Sequence, residues 1–264
     1  MTLFEAGAGG DADPGAGPAV CRLVLAYDGS GFRGFATQPD QRTVESVLGK
    51  ALHQVLRHEP PLTCAGRTDA GVHAWGQVVS FEATPGLEPA LLQRALNGML
   101  GPEIVVRDAD LVPPGFDARR GARWRRYRYT VVNRPVPDPF LARYAWWVRE
   151  PLDRSLLRLA ADPFVGTRDF TSFCRKPTTG SGSLVRKVFA SHWTDLGDGL
   201  LRYEVRASSF CWQMVRSMVG TMVNIGLGRG TPGDVMGILR TRERGSVAEP
   251  APGRGLCLWD VGYD

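Results

Sequence analysis

The chain has 264 residues, of which 43% are hydrophobic, so it is long and apolar enough to form a core in one large domain or two modest ones. This composition excludes a wholly disordered protein, and the formal net charge of +5 favours an acidic partner without naming one. All of the 32 basic residues except Lys50, Lys176 and Lys187 are arginine. Arginine suits phosphate binding, but its abundance also fits a genome that makes Ala, Gly and Pro plentiful.

The cysteines and histidines lack the spacing of a metal site. The five cysteines are scattered and odd in number, without a CxxC pair, which indicates a reducing compartment and argues against a disulfide framework or a zinc site. The four histidines have no metal-ligand spacing either. There is neither an N-terminal apolar core nor an apolar run of membrane length. We therefore expect a cytoplasmic protein that does not associate with a membrane.

The first part of the chain predicts a tail, a strand and a helix. Residues 1–18 are mostly Gly, Ala, Asp and Pro, which predicts a disordered tail. A strand is predicted over residues 21–27, and the turn residues 28–31 end it. Thr43 begins a helix whose apolar residues recur at the spacing of one buried face, so we assign this helix to the core.

Residues 66–71, called the aspartate loop below, hold one acid, one base and two glycines directly before a predicted strand near residues 75–82. Glycines at both ends allow a positive φ or a close approach to a ligand, so the loop can direct a single carboxylate outward. Asp69 is therefore a candidate catalytic residue. The alternative is a tight turn in which Asp69 caps its own backbone.

A second helix is predicted over residues 89–100, and a short strand at 104–106 follows it. The Pro113-Pro114-Gly115 turn then marks the predicted boundary between an N-terminal half, residues 19–113, and a C-terminal half, residues 114–264. Each half offers strands and amphipathic helices. We therefore expect two α/β halves.

The most charged segment, residues 119–132, combines six arginines with three aromatic residues, and its second part alternates as a strand does. The alternation predicts Tyr127 and Tyr129 on one face and Arg126 and Arg128 on the other. Such a surface suits RNA phosphates and stacked bases. The alternative is a charged edge strand that discourages aggregation. The six arginines are Arg119, Arg120, Arg123, Arg125, Arg126 and Arg128.

The C-terminal half continues with a helix over residues 152–161, for which Asp153 is the predicted N-cap. Residues 175–183 predict a flap or a linker, and two half-exposed strands follow near residues 185–194 and 200–207. The chain closes with a helix that has Pro232 in its first turn and with a strand at 256–261.

The helix predicted over residues 210–227 is apolar on nearly every face and should be largely buried. Arg216 lies in its middle. A buried guanidinium without a partner is unfavourable by several kcal/mol and cannot lose its proton, so Arg216 requires a carboxylate, for which Asp69 is one candidate. Alternatively, Arg216 packs its stem and extends its charged end into water.

Six motifs occur in order over residues 20–264. The most specific is AGRTDAGVHA at 65–74. The others are YDGSGFRGF at 27–35, RRYRY at 125–129, DFTSF at 169–173, FCWQMVRSMVG at 210–220 and GLCLWDVGYD at 255–264. On these motifs the chain resembles the bacterial tRNA pseudouridine synthase A family.

The resemblance implies a role for each matching residue. Asp69 corresponds to the catalytic aspartate, and Arg67 to its basic neighbour near the target nucleotide. Tyr127 corresponds to the active-site tyrosine, which stacks on the base and is a candidate for proton transfer from C5. Arg216 corresponds to the arginine that pairs with the catalytic carboxylate, and Leu256 to the apolar residue beside the uracil. We assign RNA binding to Arg119, Arg125, Arg126 and Arg128.

The family implies an α+β fold in which two α/β halves share a continuous, mostly antiparallel sheet, with helices packed on one side and a central basic active-site cleft. It also implies a homodimer that acts on tRNA and needs no metal or organic cofactor. The sequence departs from the family at Phe35-Ala36, where Trp-Gln is usual, and at Trp212-Gln213, where histidine is common. We expect these departures to affect RNA contacts and substrate preference rather than the reaction.

The reaction implied by the resemblance is isomerisation of uridine to pseudouridine at positions 38, 39 and 40 of the tRNA anticodon stem-loop, with the base flipped out of the stack. The residues leave open whether Asp69 attacks the sugar, attacks the base or abstracts a sugar proton. Two alternatives are a non-catalytic tRNA-binding or tRNA-folding protein on the same fold and a base-excising glycosidase. The glycosidase is disfavoured because no second catalytic carboxylate has a defined role.

Overall fold

The structure is a computed structural model that describes residues 18–175 and 182–264. It divides into a first unit, which ends at Ala122 and includes Tyr263 and Asp264, and a second unit, Arg123–Gly262. The predicted tail up to residue 17 and the centre of the predicted flap, residues 176–181, lie outside the described residues.

The first unit is an antiparallel sheet with two helices. Its elements are β1 (Val20–Tyr27), α1 (Val44–Leu56), β2 (Thr63–Cys64), β3 (His73–Glu82), α2 (Pro89–Leu100) and β4 (Ile104–Val112). Strands β4, β1 and β3 are neighbours in that order, and β2 pairs with β3. The register sets Leu23 opposite Val79, and both side chains are fully buried. Helix α2 packs against β4 and α1, which completes the core of this unit.

Helix α1 begins where the sequence predicts because Thr43 caps it. Ser46 N donates to Thr43 Oγ1 at 3.2 Å, and Thr43 N donates to Ser46 Oγ at 3.1 Å, which makes a reciprocal capping box. The helix ends at Leu56 and is followed by the C-cap residue Arg57, whose φ of 66° is left-handed.

The segment after the Pro113-Pro114-Gly115 turn packs on the first unit. Ala118 N donates to Ser80 Oγ on β3 at 3.1 Å, and the Tyr263 hydroxyl donates to Ala118 O at 2.8 Å. The rings of Phe116 and Tyr263 lie 4.9 Å apart between centroids. These contacts explain why the two units divide after Ala122 rather than at the turn.

The second unit also combines a sheet with helices. Its elements are β5 (Trp124–Asn133), β6 (Trp146–Val148), α3 (Arg154–Ala161), β7 (Gly166–Asp169), β8 (Val185–Gly197), β9 (Leu200–Ala207), α4 (Met214–Gly226), α5 (Asp234–Thr241) and β10 (Leu256–Gly262). The strand order is β10, β5, β9, β8 and β7, with neighbours antiparallel, and β6 pairs with β5 in parallel. Each unit therefore has a mostly antiparallel sheet with helices, and the predicted α+β class is confirmed.

Helix α4 is buried on nearly every face, as its composition predicts. It begins at Met214, later than predicted, because Gln213 has a left-handed φ of 64°. Trp193 Nε1 on β8 donates to Met222 Sδ at 3.2 Å, and α3 packs along α4. Within residues 18–175 and 182–264 no helix is long and apolar enough to cross a membrane.

A disulfide joins Cys174 to Cys211, whose Cα atoms are 5.7 Å apart. The scattered cysteines, odd in number, do not predict this bond. The two cysteines are separated by 37 residues, and only the fold of the second unit brings them together. Cys21 and Cys64 are thiols in the first unit.

Candidate active site

The aspartate loop connects β2 to β3 in the first unit. Its side chains alternate in burial, since Arg67 is exposed, Thr68 is buried and Asp69 is half-buried. Val72 N donates to Asp69 O at 3.1 Å and closes the turn. Arg67 is therefore accessible and Asp69 is partly accessible, on either side of the buried Thr68.

A second loop, residues 28–35, supports the aspartate loop from behind. Phe35 N donates to Thr68 O at 3.0 Å, and Gly71 N donates to Phe32 O at 3.4 Å. Gly34 has a φ of 99°, and a Cβ atom there would lie 2.8 Å from Thr68 O. Only glycine fits this position without moving the aspartate loop.

Phe35, where the family usually has tryptophan, is fully buried. Its ring centroid lies 6.3 Å from that of Tyr27. The departure from the family pattern at this residue therefore lies in the packing behind the aspartate loop. The predicted effect of Phe35-Ala36 on RNA contacts stays a prediction.

The sequence motifs gave no role to Thr68 within the aspartate loop, or to three polar side chains near it, Tyr27, His73 and Gln77. Gly29 N donates to His73 Nδ1 at 3.0 Å, and Asp28 Oδ1 lies 3.2 Å from the same nitrogen. A Cβ atom on Gly29 would overlap Val72 O, so the residue must be glycine for the two loops to touch. One feature of the sequence indicates such contacts. Gln77 is a polar residue in a mostly apolar strand, and a buried polar side chain needs hydrogen-bond partners.

Two arginines place positive charge beside the aspartate loop. Burial raises the pKa of Cys64 to about 11, and Glu45 adds to this, whereas the charges of Arg67 and Arg119 oppose it. Both guanidinium groups therefore act on a thiol two residues before the loop. Arginine is a side chain that suits phosphate binding, and the negative charge of Glu45 acts on the same thiol with the opposite sign.

In the second unit, Tyr127 and Leu256 lie on the neighbouring strands β5 and β10. Tyr127 is 8% exposed and meets Phe210 edge to face, with ring centroids 4.9 Å apart. Leu256 is 6% exposed and is paired with Tyr129 in the β-sheet register. The predicted strand alternation is confirmed, because Tyr127 and Tyr129 are buried while Arg126 and Arg128 are half-buried on the opposite face.

Arg216 is half-buried and is held by the segment that precedes β10. Its Nε donates to Ala251 O at 2.7 Å, and Ala251 N donates to Arg216 O at 2.9 Å. Burial raises the pKa of Tyr129, and the positive charges of Arg216 and Arg254 oppose that rise. A backbone carbonyl is thus one partner of Arg216, and its predicted pairing with Asp69 stays a prediction.

The Tyr129 side chain fixes the approach to Leu256. Its hydroxyl donates to Pro252 O at 2.8 Å. A Cβ atom on Gly255 would lie 2.5 Å from Tyr129 Cζ, so glycine lets the chain pass against the ring. The fully buried Tyr129 therefore positions Leu256, which is the first residue of β10.

The arginines of β5 have partners within the second unit. Arg125 Nη1 donates to Ser208 O at 3.0 Å. Arg126 Nη2 donates to Asp260 Oδ2 at 2.8 Å, and Arg128 Nε donates to Glu204 Oε2 at 2.7 Å. These contacts hold the sheet together. RNA binding by Arg125, Arg126 and Arg128 stays a prediction, as it does for the exposed Arg119.

The fold thus groups the predicted residues within each unit. Arg67, Asp69 and Arg119 belong to the first unit. Tyr127, Arg216 and Leu256 belong to the second, as do the three arginines of β5.

Comparison with known proteins identifies the family. A family profile described as tRNA pseudouridine synthase matches residues 23–119 and 160–264. The tRNA pseudouridine synthase A of Leifsonia xyli subsp. xyli is 41% identical over 263 residues, which cover 92% of this chain and 91% of that protein. The protein of the same name from Brevibacillus brevis is 40% identical over 242 residues, and that from Bacillus subtilis 37% over 245, each covering 92% of this chain and 98% of the relative. The chain belongs to the tRNA pseudouridine synthase family and is therefore an isomerase.

Proposed function

We propose that this enzyme isomerises uridine to pseudouridine at positions 38, 39 and 40 of the tRNA anticodon stem-loop, with Asp69 as the catalytic residue. The observation that carries the proposal is the family match, which spans both units and includes the aspartate loop and helix α4. The accessibility of Arg67 and the partial accessibility of Asp69, in a loop held by backbone hydrogen bonds, support the role of the loop.

The reaction breaks the N1–C1′ bond, turns the uracil, forms the C5–C1′ bond and removes the proton from C5, while N1 gains a proton. It needs a nucleophile or base, which Asp69 supplies, with Arg67 as its basic neighbour near the target nucleotide. Tyr127 and Leu256 then replace part of the stacking that the flipped base loses, a loss of about a few kcal/mol. Arg216 completes the set as the proposed partner of the catalytic carboxylate.

The arginines assigned to RNA would contribute salt-dependent affinity through phosphate contacts. Among them, Arg119 is supported by its exposed position in the first unit. We also propose that the enzyme acts in the cytoplasm, where its tRNA substrate is processed.

We propose a homodimer as well. Its support within the second unit is an exposed apolar segment between β5 and β6, in which Val136 is 70% and Phe140 is 88% exposed. Sedimentation of the wild type should give twice the monomer mass, and a monomer at micromolar concentration would contradict this proposal.

The assay for the proposed function uses tRNA that lacks pseudouridine and carries tritium at C5 of uridine. The wild type should release tritium to water, and Asp69→Ala should release none above background. Asp108→Ala removes another carboxylate of the first unit, an exposed one on β4, and should behave as the wild type. Release that is unchanged in Asp69→Ala would exclude Asp69 as the catalytic residue. Tight tRNA binding by a wild type that releases no tritium would favour the non-catalytic alternative.

A further inference from the structure

Gln77 on β3 clamps the backbone of the aspartate loop. Its side chain is fully buried. Nε2 donates to Gly66 O at 2.5 Å, and Gly66 N donates to Oε1 at 3.3 Å. One amide therefore binds both backbone groups of Gly66, as a neighbouring strand would. Gly66 directly precedes Arg67.

A pair of hydroxyl groups holds Thr68, the buried residue of the aspartate loop. The Tyr27 hydroxyl and Thr68 Oγ1 are hydrogen-bonded at 2.8 Å, and both side chains are buried. Gln77 Nε2 also donates to the Tyr27 hydroxyl at 3.5 Å, which links the two anchors. Gly66 and Thr68 are thus tied to one buried polar group, while Arg67 between them is exposed.

Along the chain, the anchored residues Gly66 and Thr68 alternate with the proposed site residues Arg67 and Asp69. Thr68 is the residue directly before Asp69, so a rotation of its backbone redirects the carboxylate. Backbone hydrogen bonds also reach the loop, from Phe35 N to Thr68 O and from Val72 N to Asp69 O. Those bonds do not depend on the anchor side chains. Loss of one anchor should therefore loosen the direction of Asp69 while leaving the loop folded.

We propose that Gln77, Tyr27 and Thr68 form a buried positioning network that orients the Asp69 carboxylate for catalysis. Because its three side chains are buried, the network acts through the position of Asp69. The inference rests on the proposed catalytic role of Asp69. It predicts that removing a single buried hydroxyl behind the loop slows the chemical step, because displacement of a reacting group by about 1 Å lowers a rate by about 100-fold.

The test compares matched variants under single-turnover conditions on tritiated tRNA, with tRNA affinity and melting temperature measured in parallel. Thr68→Val removes the hydroxyl without changing the size of the side chain, and Tyr27→Phe removes its partner. Each should lower the single-turnover rate constant by about 10- to 100-fold and leave the Kd for tRNA within about twofold. Thr68→Ser keeps the hydroxyl and should retain most of the wild-type rate. Gln77→Glu, which loses the donor to Gly66 O, should resemble Tyr27→Phe.

The matched control is Tyr203→Phe in the second unit. Tyr203 is fully buried, and its hydroxyl is hydrogen-bonded to Ser191 Oγ at 2.7 Å, so the substitution removes the same kind of bond within the second unit. It should lower the melting temperature without lowering the single-turnover rate of the folded enzyme.

Wild-type rates in Thr68→Val, Tyr27→Phe and Gln77→Glu would overturn the network, as would an equal loss of rate in Tyr203→Phe. If Asp69→Ala is inactive while these variants keep the wild-type rate, only the positioning proposal fails. If Asp69→Ala itself keeps the wild-type rate, the catalytic role proposed for Asp69 fails, and the network loses its purpose with it.

Discussion

At the residue scale, Arg216 is a charged side chain that is held by a hydrogen bond to the backbone. Its Nε donates to Ala251 O at 2.7 Å, and this bond fixes the plane of the guanidinium. Lysine keeps the charge but has no group that corresponds to Nε, so it cannot hold the same orientation. The position is therefore specific for arginine if Arg216 pairs with the catalytic carboxylate.

We predict that Arg216→Lys lowers the single-turnover rate by about 100-fold, because the charge is retained but displaced. Single-turnover tritium release measures this. Arg240→Lys, at an exposed position on α5, is the matched control and should keep the wild-type rate. A rate in Arg216→Lys equal to that of the control would contradict the role assigned to Arg216.

At the scale of elements, strands β5, β9 and β10 are joined by charges on the face of the sheet opposite Tyr127 and Tyr129. Arg128 lies directly opposite Glu204 in the register, and Arg126 lies opposite Asp260. Arg126 Nη1 also lies 3.6 Å from Glu204 Oε1. Burial opposes ionisation of Glu204, but the hydrogen bond from Arg128 and the charges of Arg128 and Arg126 outweigh it, so the pKa of Glu204 is lowered.

A lowered pKa means that Glu204 stabilises the fold at pH values above the ordinary glutamate pKa, about 4.3, and that this stability is lost as the pH falls through the folded-state value. We predict that Glu204→Gln lowers the free energy of unfolding at pH 7 by about 1–3 kcal/mol, since Arg128 loses its charged partner. Urea unfolding at pH 7 and pH 3.5 measures this. The gap between the two proteins should narrow at pH 3.5, and a constant gap would contradict the assignment.

Elements with a local signal were predictable from the sequence. Thr43 and Asp153 cap α1 and α3 as predicted, because N-caps act within one turn. Strands β2 and β6 were missed, since two or three residues carry no periodicity and need partner strands. Helix α5 begins at Asp234 rather than at Pro232, and Gly233 is its N-cap.

At the scale of the whole molecule, the net charge of +5 favours the binding of tRNA phosphates that we propose. Phosphate contacts release counterions, so the logarithm of the binding constant should fall linearly with the logarithm of salt concentration. We predict that Arg119→Gln reduces the slope by about 1 and that Arg240→Gln leaves it unchanged. Filter binding between low and physiological salt measures both slopes. An unchanged slope in Arg119→Gln would remove Arg119 from the RNA-binding surface.

The motifs predict which residues belong to the candidate site, but not the groups that hold them. Asp69 and Tyr127 lie within motifs of fixed spacing. The contacts of Gln77 with Gly66, of Tyr129 with Pro252 and of Cys174 with Cys211 join residues that are distant in sequence, and only the fold specifies them. A polar residue in a buried strand indicates that a partner exists without naming it.

We propose that the enzyme, with Asp69 as its catalytic residue, isomerises uridine without releasing the base. The most direct measurement incubates an unmodified anticodon stem-loop transcript with the enzyme, digests it to nucleosides and separates the products by chromatography. Pseudouridine should appear in the amount of uridine lost with the wild type, with no free uracil, and should be absent with Asp69→Ala. Free uracil, or pseudouridine formed equally by Asp69→Ala, would contradict the account.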